Sequence, residues 1–314
     1  MPVVQLPAAS AGTSRVVSAV DLSWEVHRCF HALSDLSFAS PSRGLIPTGH
    51  VFGVLSDVSL LSRTSDMVLL VMDSPCLERE ALFQGYKASR RSKEPSGDPL
   101  RDYNPFVDLD SILMLCSWFP NVRRVRVEGF EADDIMASLI EASRTSSSEF
   151  HLYFSDWDIM QTPGRFFWHR DFGSGPLDSF ERVRSKFKYD LDFLPLFHKI
   201  IRGDSSDGIP PALKGFPSKL LLELSRTIPF ERGLDDIIRS VVSVSSSSKT
   251  WSERTSPLLD PDSQLYKDFA RNHAVVIPRP PEPSLVRPEP LPVPLDGNYG
   301  RLLDSFGISG MVLR

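Results

Sequence analysis

Three apolar runs of strand length each end in aspartate, and this repeat constrains the chain more than any other feature. RVVSAVD closes on Asp21, DMVLLVMD on Asp73, and EFHLYFSDWD on Asp156 and Asp158. Each run is short and rich in β-branched or aromatic residues, the make-up of a buried strand. NVRRVRVEGF reads as a fourth strand. The segments between, WEVHRCFHALSDL, GHVFGVLSDVSLL, LDSILMLCSWF and IMASLIEASR, have helical spacing. Strands alternating with helices imply right-handed crossovers, hence an α/β fold whose mainly parallel central sheet is flanked by helices. Ligands of such sheets bind beyond the carboxyl ends of the strands, where these aspartates fall.

A single aspartate after a strand is ordinarily a turn former or a helix cap. Three strand ends of one kind, joined by Glu131, Asp133 and Asp134 in GFEADDIMASL, exceed that explanation. Carboxylates gathered on one edge repel, and several would stay protonated unless a cation neutralised them. Mg²⁺ prefers oxygen ligands and keeps several waters, which suits an acidic rim; zinc is the poorer candidate without clustered histidines or thiolates.

Two further stretches carry charge in a pattern. In RGDSSDGIPPALKGFPSKLLLEL, Asp204 and Asp207 stand three apart, and Lys214, Gly215 and Lys219 fall in or beside a hairpin between two short helices. Exposed loop N–H groups and helix N-termini can hold a backbone phosphate without reading its base. Alone, this stretch reads better as a Gly/Pro loop with a solvated acidic turn. In LEREALFQGYKASRRSKEP the cations Arg79, Lys87, Arg90, Arg91 and Lys93 alternate with Phe83 and Tyr86. Phosphate neutralisation combined with base stacking binds single strands this way. A solvated basic helix is the plainer reading, outweighed by position directly after a strand-end aspartate.

Composition adds limits. The chain of 314 residues has a net charge of -5, so any polyanion site must be local. No stretch approaches the roughly 20 apolar residues of a membrane span, and the first residues lack a signal peptide's pattern, so a cytoplasmic protein is the expectation. Cys29, Cys76 and Cys116 lie far apart, as reduced packing residues. Residues 1–14 read as a flexible tail, the serine-rich 239–256 as a flexible surface insertion, and the proline-rich 278–294 as an extended strap.

The order VDLSWEVHRCFHAL, VMDSPCLEREALFQGYKASRR, EGFEADDIMASL, YFSDWDIMQ and RGDSSDGIP followed by KGFPSK resembles the 5' nuclease family of phage 5'-3' exonucleases, flap endonucleases and the N-terminal nuclease domain of bacterial DNA polymerase I, from about Ser18 to Leu224. The resemblance implies a PIN-like core over residues 15–195 with a helical arch at about 74–105. It also implies a helix-hairpin-helix-type DNA-binding region over 196–314 with a closing C-terminal helix. Asp21, Asp73, Glu131, Asp133 and Asp134 then correspond to a first metal cluster, and Asp156, Asp158, Asp204 and Asp207 to a second. Arg79 and Lys87 would meet the scissile phosphate, Tyr86 would stack on a terminal base, and Arg90, Arg91, Lys93, Lys214, Gly215 and Lys219 would bind nucleic acid.

The implied reaction is Mg²⁺-dependent phosphodiester hydrolysis at 5' flaps, nicks, free 5' ends or RNA primers during replication. Manganese is an acceptable substitute, and the family's hairpin takes a monovalent cation. A monomer in a bacterial, phage-infected cell, with replication proteins as partners, completes the expectation. An RNA-processing nuclease and a non-catalytic binder of branched DNA are the alternatives. Departures from the family pattern are Trp157 where lysine is common, Gly208 where asparagine is usual, and Pro211 and Pro217 in place of hairpin glycines.

Overall fold

In the computed structural model the described residues are 15–88, 96–156, 159, 162, 164–169, 194–227, 233–295 and 297–312. The chain opens with β1 (Val16–Asp21) and α1 (Leu22–Ala32), then a hairpin of β2 (Ser37–Ser40) and β3 (Gly44–Pro47), α2 (Gly49–Thr64), β4 (Met67–Val71) and α3 (Leu77–Leu82). After a 3₁₀ turn at Pro105–Asp108 come α4 (Leu109–Cys116), β5 (Val122–Val125), α5 (Ala132–Ser143), β6 (Glu149–Tyr153) and β7 (Phe166–His169). The remainder is helical: α6 (Leu194–Arg202), α7 (Ser218–Thr227), α8 (Leu234–Ser245), α9 (Lys249–Thr255), α10 (Gln264–Val276), α11 (Tyr299–Asp304) and α12 (Ser309–Val312).

The main sheet runs β5-β4-β1-β6-β7, and all four pairings are parallel. Strands of a parallel sheet covered on both faces are apolar throughout, and β4 is buried at all five positions. Strand alternation divides its side chains. Val68 and Leu70 face a core with α1, α2 and α4, while Met67, Leu69 and Val71 face α5. Ile135, Met136, Leu139 and Ile140 of α5 are fully buried. Each contributes on the order of 1.5–3 kcal/mol and fixes that helix rigidly against the sheet. From central β1 the chain runs outward through β4 to β5, then returns to β6 on the other side, so the switch of direction lies at the carboxyl end of β1.

A third core belongs to the helical region, where α6, α7, α8 and α10 pack around Phe216, Leu224, Val241, Leu258 and Phe269. Residues 277–295 cross from it over the sheet domain. Val286 is buried against the α5 face, and Arg124 and Glu289 exchange both backbone hydrogen bonds, covering the exposed edge of β5. This segment is thus held to the sheet domain at Val286 and at Glu289.

Two expectations are corrected. The serine-rich 239–256 is no flexible insertion, because α8 and α9 occupy most of it. Ile237, Ile238, Val241 and Val244 form a buried helical stripe, and Ser240 and Ser245 donate to the carbonyls of Asp236 and Val241 one turn back. The serines satisfy their hydroxyls locally, so the apolar stripe decides. The closing helix is instead two short ones, α11 and α12, separated at Gly307, whose φ is 66°. The hairpin β2–β3 and the strand β7 were not anticipated. The cysteines are all buried and unpaired.

Candidate active site

Parallel strands deliver their carboxyl ends to one edge. Asp21 ends β1, Asp73 follows β4 and Asp156 follows β6. The acidic first turn of α5 is set between them by its own caps. Glu131 is the N-cap and exchanges capping-box hydrogen bonds with Asp134, while the Ala132 N–H donates to Asp73 Oδ1 at 2.8 Å. Asp21 also caps a helix, accepting from the Trp24 N–H at 3.1 Å. Capping is therefore how these carboxylates are aimed, and it leaves oxygens over for chemistry.

The acids fall into two electrostatic groups. Burial, then the negative charge of Asp73, pushes the Asp21 carboxyl up to about 7. Burial, then Asp156 and Asp21, holds Asp133 well above the carboxylate range. These four acids repel one another across a shared space, the condition a hard divalent cation relieves, and their donor set is all oxygen. By donor chemistry Asp21, Asp73, Asp133 and Asp156 therefore suit a hard divalent ion.

Glu131 and Asp134 differ because cations already meet them. Arg79, 3% exposed, spans both, with one guanidinium nitrogen on Glu131 Oε2 and the other on Asp134 Oδ1 at 2.6 Å. Glu131 also accepts from the Tyr86 hydroxyl at 2.8 Å and from Lys87 Nζ at 2.7 Å. Burial opposes its ionisation, yet Lys87 and Arg79 together hold its carboxyl below the usual range. Asp134 Oδ1 takes a further hydrogen bond at 2.7 Å from the Arg279 N–H, so the strap is tied directly to the site.

Asp204 and Asp207 arrive from the loop after α6. Burial would raise Asp204, but hydrogen bonds from Ser206 and Lys199 win and lower it to about 2. Lys199 Nζ lies 2.9 Å from Asp204 and 3.9 Å from Asp156, bridging the loop to the sheet edge. Glu131, Asp133, Asp156, Asp207, Lys199 and Arg79 share one cavity of about 20 Å³, close to the volume of a single water. Lys199 escaped the sequence reading. Its signal was available as the last-turn cation of an amphipathic helix leading into RGDSSD.

Two sequence expectations change. Tyr86 was to stack on a base, but its ring is 6% exposed within the helical-region core. Its hydroxyl is held by Glu131, so in this conformation it anchors the arch base. Arg79 was to meet the phosphate, but both of its terminal nitrogens are committed to buried carboxylates. Lys87 is partly exposed beside Glu131. Lys214, Gly215 and Lys219 are exposed around the loop between α6 and α7. Asp158, Arg90, Arg91, Lys93 and Trp157 lie outside the described residues.

The structure is thus an α/β fold whose parallel sheet presents an acidic carboxyl edge, with Arg79 and Lys87 set against it. Residues 17–167, just under half of the chain, match the model of the 5'-3' exonuclease N-terminal, resolvase-like domain, and this match supports a place in the 5' nuclease family. It is similar to a 5'-3' exonuclease of Aquifex aeolicus, 29% identical over 194 residues that cover 61% of this chain and 62% of that protein. It is 33% identical to the thermostable DNA polymerase I of Thermus aquaticus over 138 residues, which cover 43% of this chain and 15% of that one. The match thus spans less than two thirds of each of these relatives. Among solved structures, the T5 D15 protein co-crystallised with metal ions superposes with a TM-score of 0.59 at 14% identity, covering 93% of this chain and 94% of that one. The catalytic core of Rad2 in complex with DNA substrate gives 0.50 at 13% identity, covering 94% and 88%. These two likenesses establish the shared fold. Among the described residues, no helix is long and apolar enough to cross a membrane.

Proposed function

We propose that this chain is a structure-selective 5' nuclease, hydrolysing phosphodiesters at 5' flaps, nicks and free 5' ends of DNA with Mg²⁺, and removing RNA primers in replication as a cytoplasmic monomer. The observation that carries this reading is the convergence of Asp21, Asp73, Asp133 and Asp156 on one sheet edge, two of them held against ionisation and facing a basic arch base. The DNA substrate of the Rad2 core supports the substrate class, and the metal ions of the T5 D15 protein support the cofactor class.

Asp21, Asp73, Asp133 and Asp156 would hold the metal, with Asp204 and Asp207 completing the set on the β6 side. Bound there, divalent ions supply an activated water and stabilise the leaving oxygen, giving a 5'-phosphate and a 3'-hydroxyl. Lys87 offsets the charge that develops on the scissile phosphate. Arg79 acts through Glu131 and Asp134, which makes it a positioning residue. The loop between α6 and α7 serves as a helix-hairpin-helix-type grip on duplex backbone. There Gly203, Gly208 and Gly215 adopt positive φ, and Lys214 and Lys219 reach the phosphates.

On a 5'-labelled flap with Mg²⁺ the protein is expected to release short 5' products, and EDTA or the near-isosteric Asp133→Asn is expected to stop release while flap binding persists. Binding without any cleavage by the unmutated protein would overturn the reading. Lys87→Ala is expected to lower single-turnover cleavage by about 100-fold while duplex affinity changes only a few-fold. Equal losses in both would refute its role at the reacting phosphate.

A further inference from the structure

The arch base is fastened over the acids through its backbone as well as its side chains. Lys87 has a φ of 53°, in the left-handed region that non-glycine residues seldom adopt. It is held there at both ends. Its N–H donates to the Asp207 carbonyl at 2.9 Å, and its Nζ meets Glu131 Oε1 at 2.7 Å. Next to it the backbones of Gly85 and Gly208 touch, so closely that a Cβ on Gly208 would stand 2.6 Å from the Gly85 carbonyl oxygen. Tyr86 sits between these two fastenings, its ring in the helical-region core and its hydroxyl on Glu131. The cavity beneath holds about 20 Å³.

We propose that residues 85–87 and 207–208 form a metal-responsive clasp, in which Lys87 is stored as the internal counter-ion of Glu131 and is released when a divalent ion binds the acidic edge. This rests on the reading of that edge as a metal site. The ammonium sits on Glu131, which lines the same cavity as Asp133 and Asp156, and its charge acts on Asp133 as well, so ion and ammonium stabilise alternative states of one acidic patch. Release frees Lys87 to leave its left-handed conformation and turn toward the phosphate, and it opens a cavity that otherwise fits one water. Gly208 is the positioning residue of the closed state, because a side chain there would meet the Gly85 carbonyl.

Coupling of this kind is reciprocal: whatever opens the clasp must tighten ion binding. The test is a calorimetric titration with MgCl₂ alone, without DNA, on the full chain. Lys87→Met, which keeps the apolar stem, is expected to bind Mg²⁺ about tenfold tighter than the unmutated protein. Gly208→Ala alters no charge and is expected to shift affinity in the same direction by a smaller factor. In the unmutated protein, Mg²⁺ is expected to speed hydrogen exchange of the Lys87 amide, which Asp207 otherwise protects. Unchanged affinity in Gly208→Ala together with an unchanged Lys87 amide would overturn the clasp while leaving the metal site standing. Should Gly208→Ala fail to fold, the Lys87 amide decides alone. A protein that takes up no Mg²⁺ in any form would overturn the metal-site reading itself, and the clasp with it.

Discussion

Arg79→Ala is expected to abolish cleavage and to lower folding stability by about 3–5 kcal/mol, the usual cost of leaving a buried charge without its partner. The guanidinium is 3% exposed, and its two terminal nitrogens bind Glu131 and Asp134, themselves 8% and 1% exposed. It also reaches the Ile277 carbonyl at 3.4 Å, where the strap leaves α10. Its removal leaves two desolvated carboxylates side by side in the first turn of α5, facing acids that already repel one another. Lys87 can answer one of the two. Arg79→Lys restores a charge but not the planar fork, so it is expected to recover part of the stability and little of the activity. Lys87→Ala should by contrast fold nearly as well as the unmutated chain, because its side chain is partly exposed and Arg79 remains on Glu131. Urea unfolding in EDTA and single-turnover cleavage on the same preparations separate the two residues. An Arg79→Ala protein within about 1 kcal/mol of the unmutated one would show that the pairing does not matter to the fold.

The strand-end aspartates were legible because the signal is local. An apolar run of five or six residues ending in a carboxylate fixes both the strand and the edge on which the acid lies. Strand β7 was not legible, since FFWH is too short to show a period and its pairing with β6 depends on contacts distant in sequence. The serine-rich segment misled for a related reason. Composition dominated the reading, while the stripe of Ile237, Ile238, Val241 and Val244 that makes it a helix counts only once a core is there to receive it. At the site, residue types identified the acids but not their partners. Tyr86 and Arg79 share a segment with Lys87, and the resemblance set all three against the nucleic acid, the two cations at the phosphate and the ring on a base. Burial separates them, placing two against Glu131 and Asp134 as supports and leaving one partly exposed.

At pH about 7, Mg²⁺ binding to the metal-free protein is expected to release protons, and the thermal stabilisation by Mg²⁺ is expected to grow from about pH 6 to about pH 8. The groups responsible are Asp21, raised by burial and by Asp73 to about 7, and Asp133, raised by burial and by Asp156 and Asp21. A carboxyl raised on folding costs nothing below its ordinary value of 3.8, because both folded and unfolded chains then hold the proton. Above that value the unfolded chain ionises freely, while the folded one must keep the proton or bear the repulsion. Metal-free stability therefore declines as pH rises from about 4 to about 7. The ion needs ionised ligands, so its affinity keeps climbing until the pH has passed the raised value of Asp21, about 7. Asp204 and Glu131 have the opposite sign. Held below their ordinary values, they add stability that is present at neutral pH and lost only in acid, so they add no proton release near pH 7. Titrating MgCl₂ in two buffers of different ionisation enthalpy measures the protons directly, since the apparent heats differ in proportion to the number released. Asp21→Asn is expected to shrink that difference. Identical heats in the two buffers near pH 7 would mean that Asp21 and Asp133 are already ionised, and that the repulsion inferred at the sheet edge is relieved by something other than a bound ion.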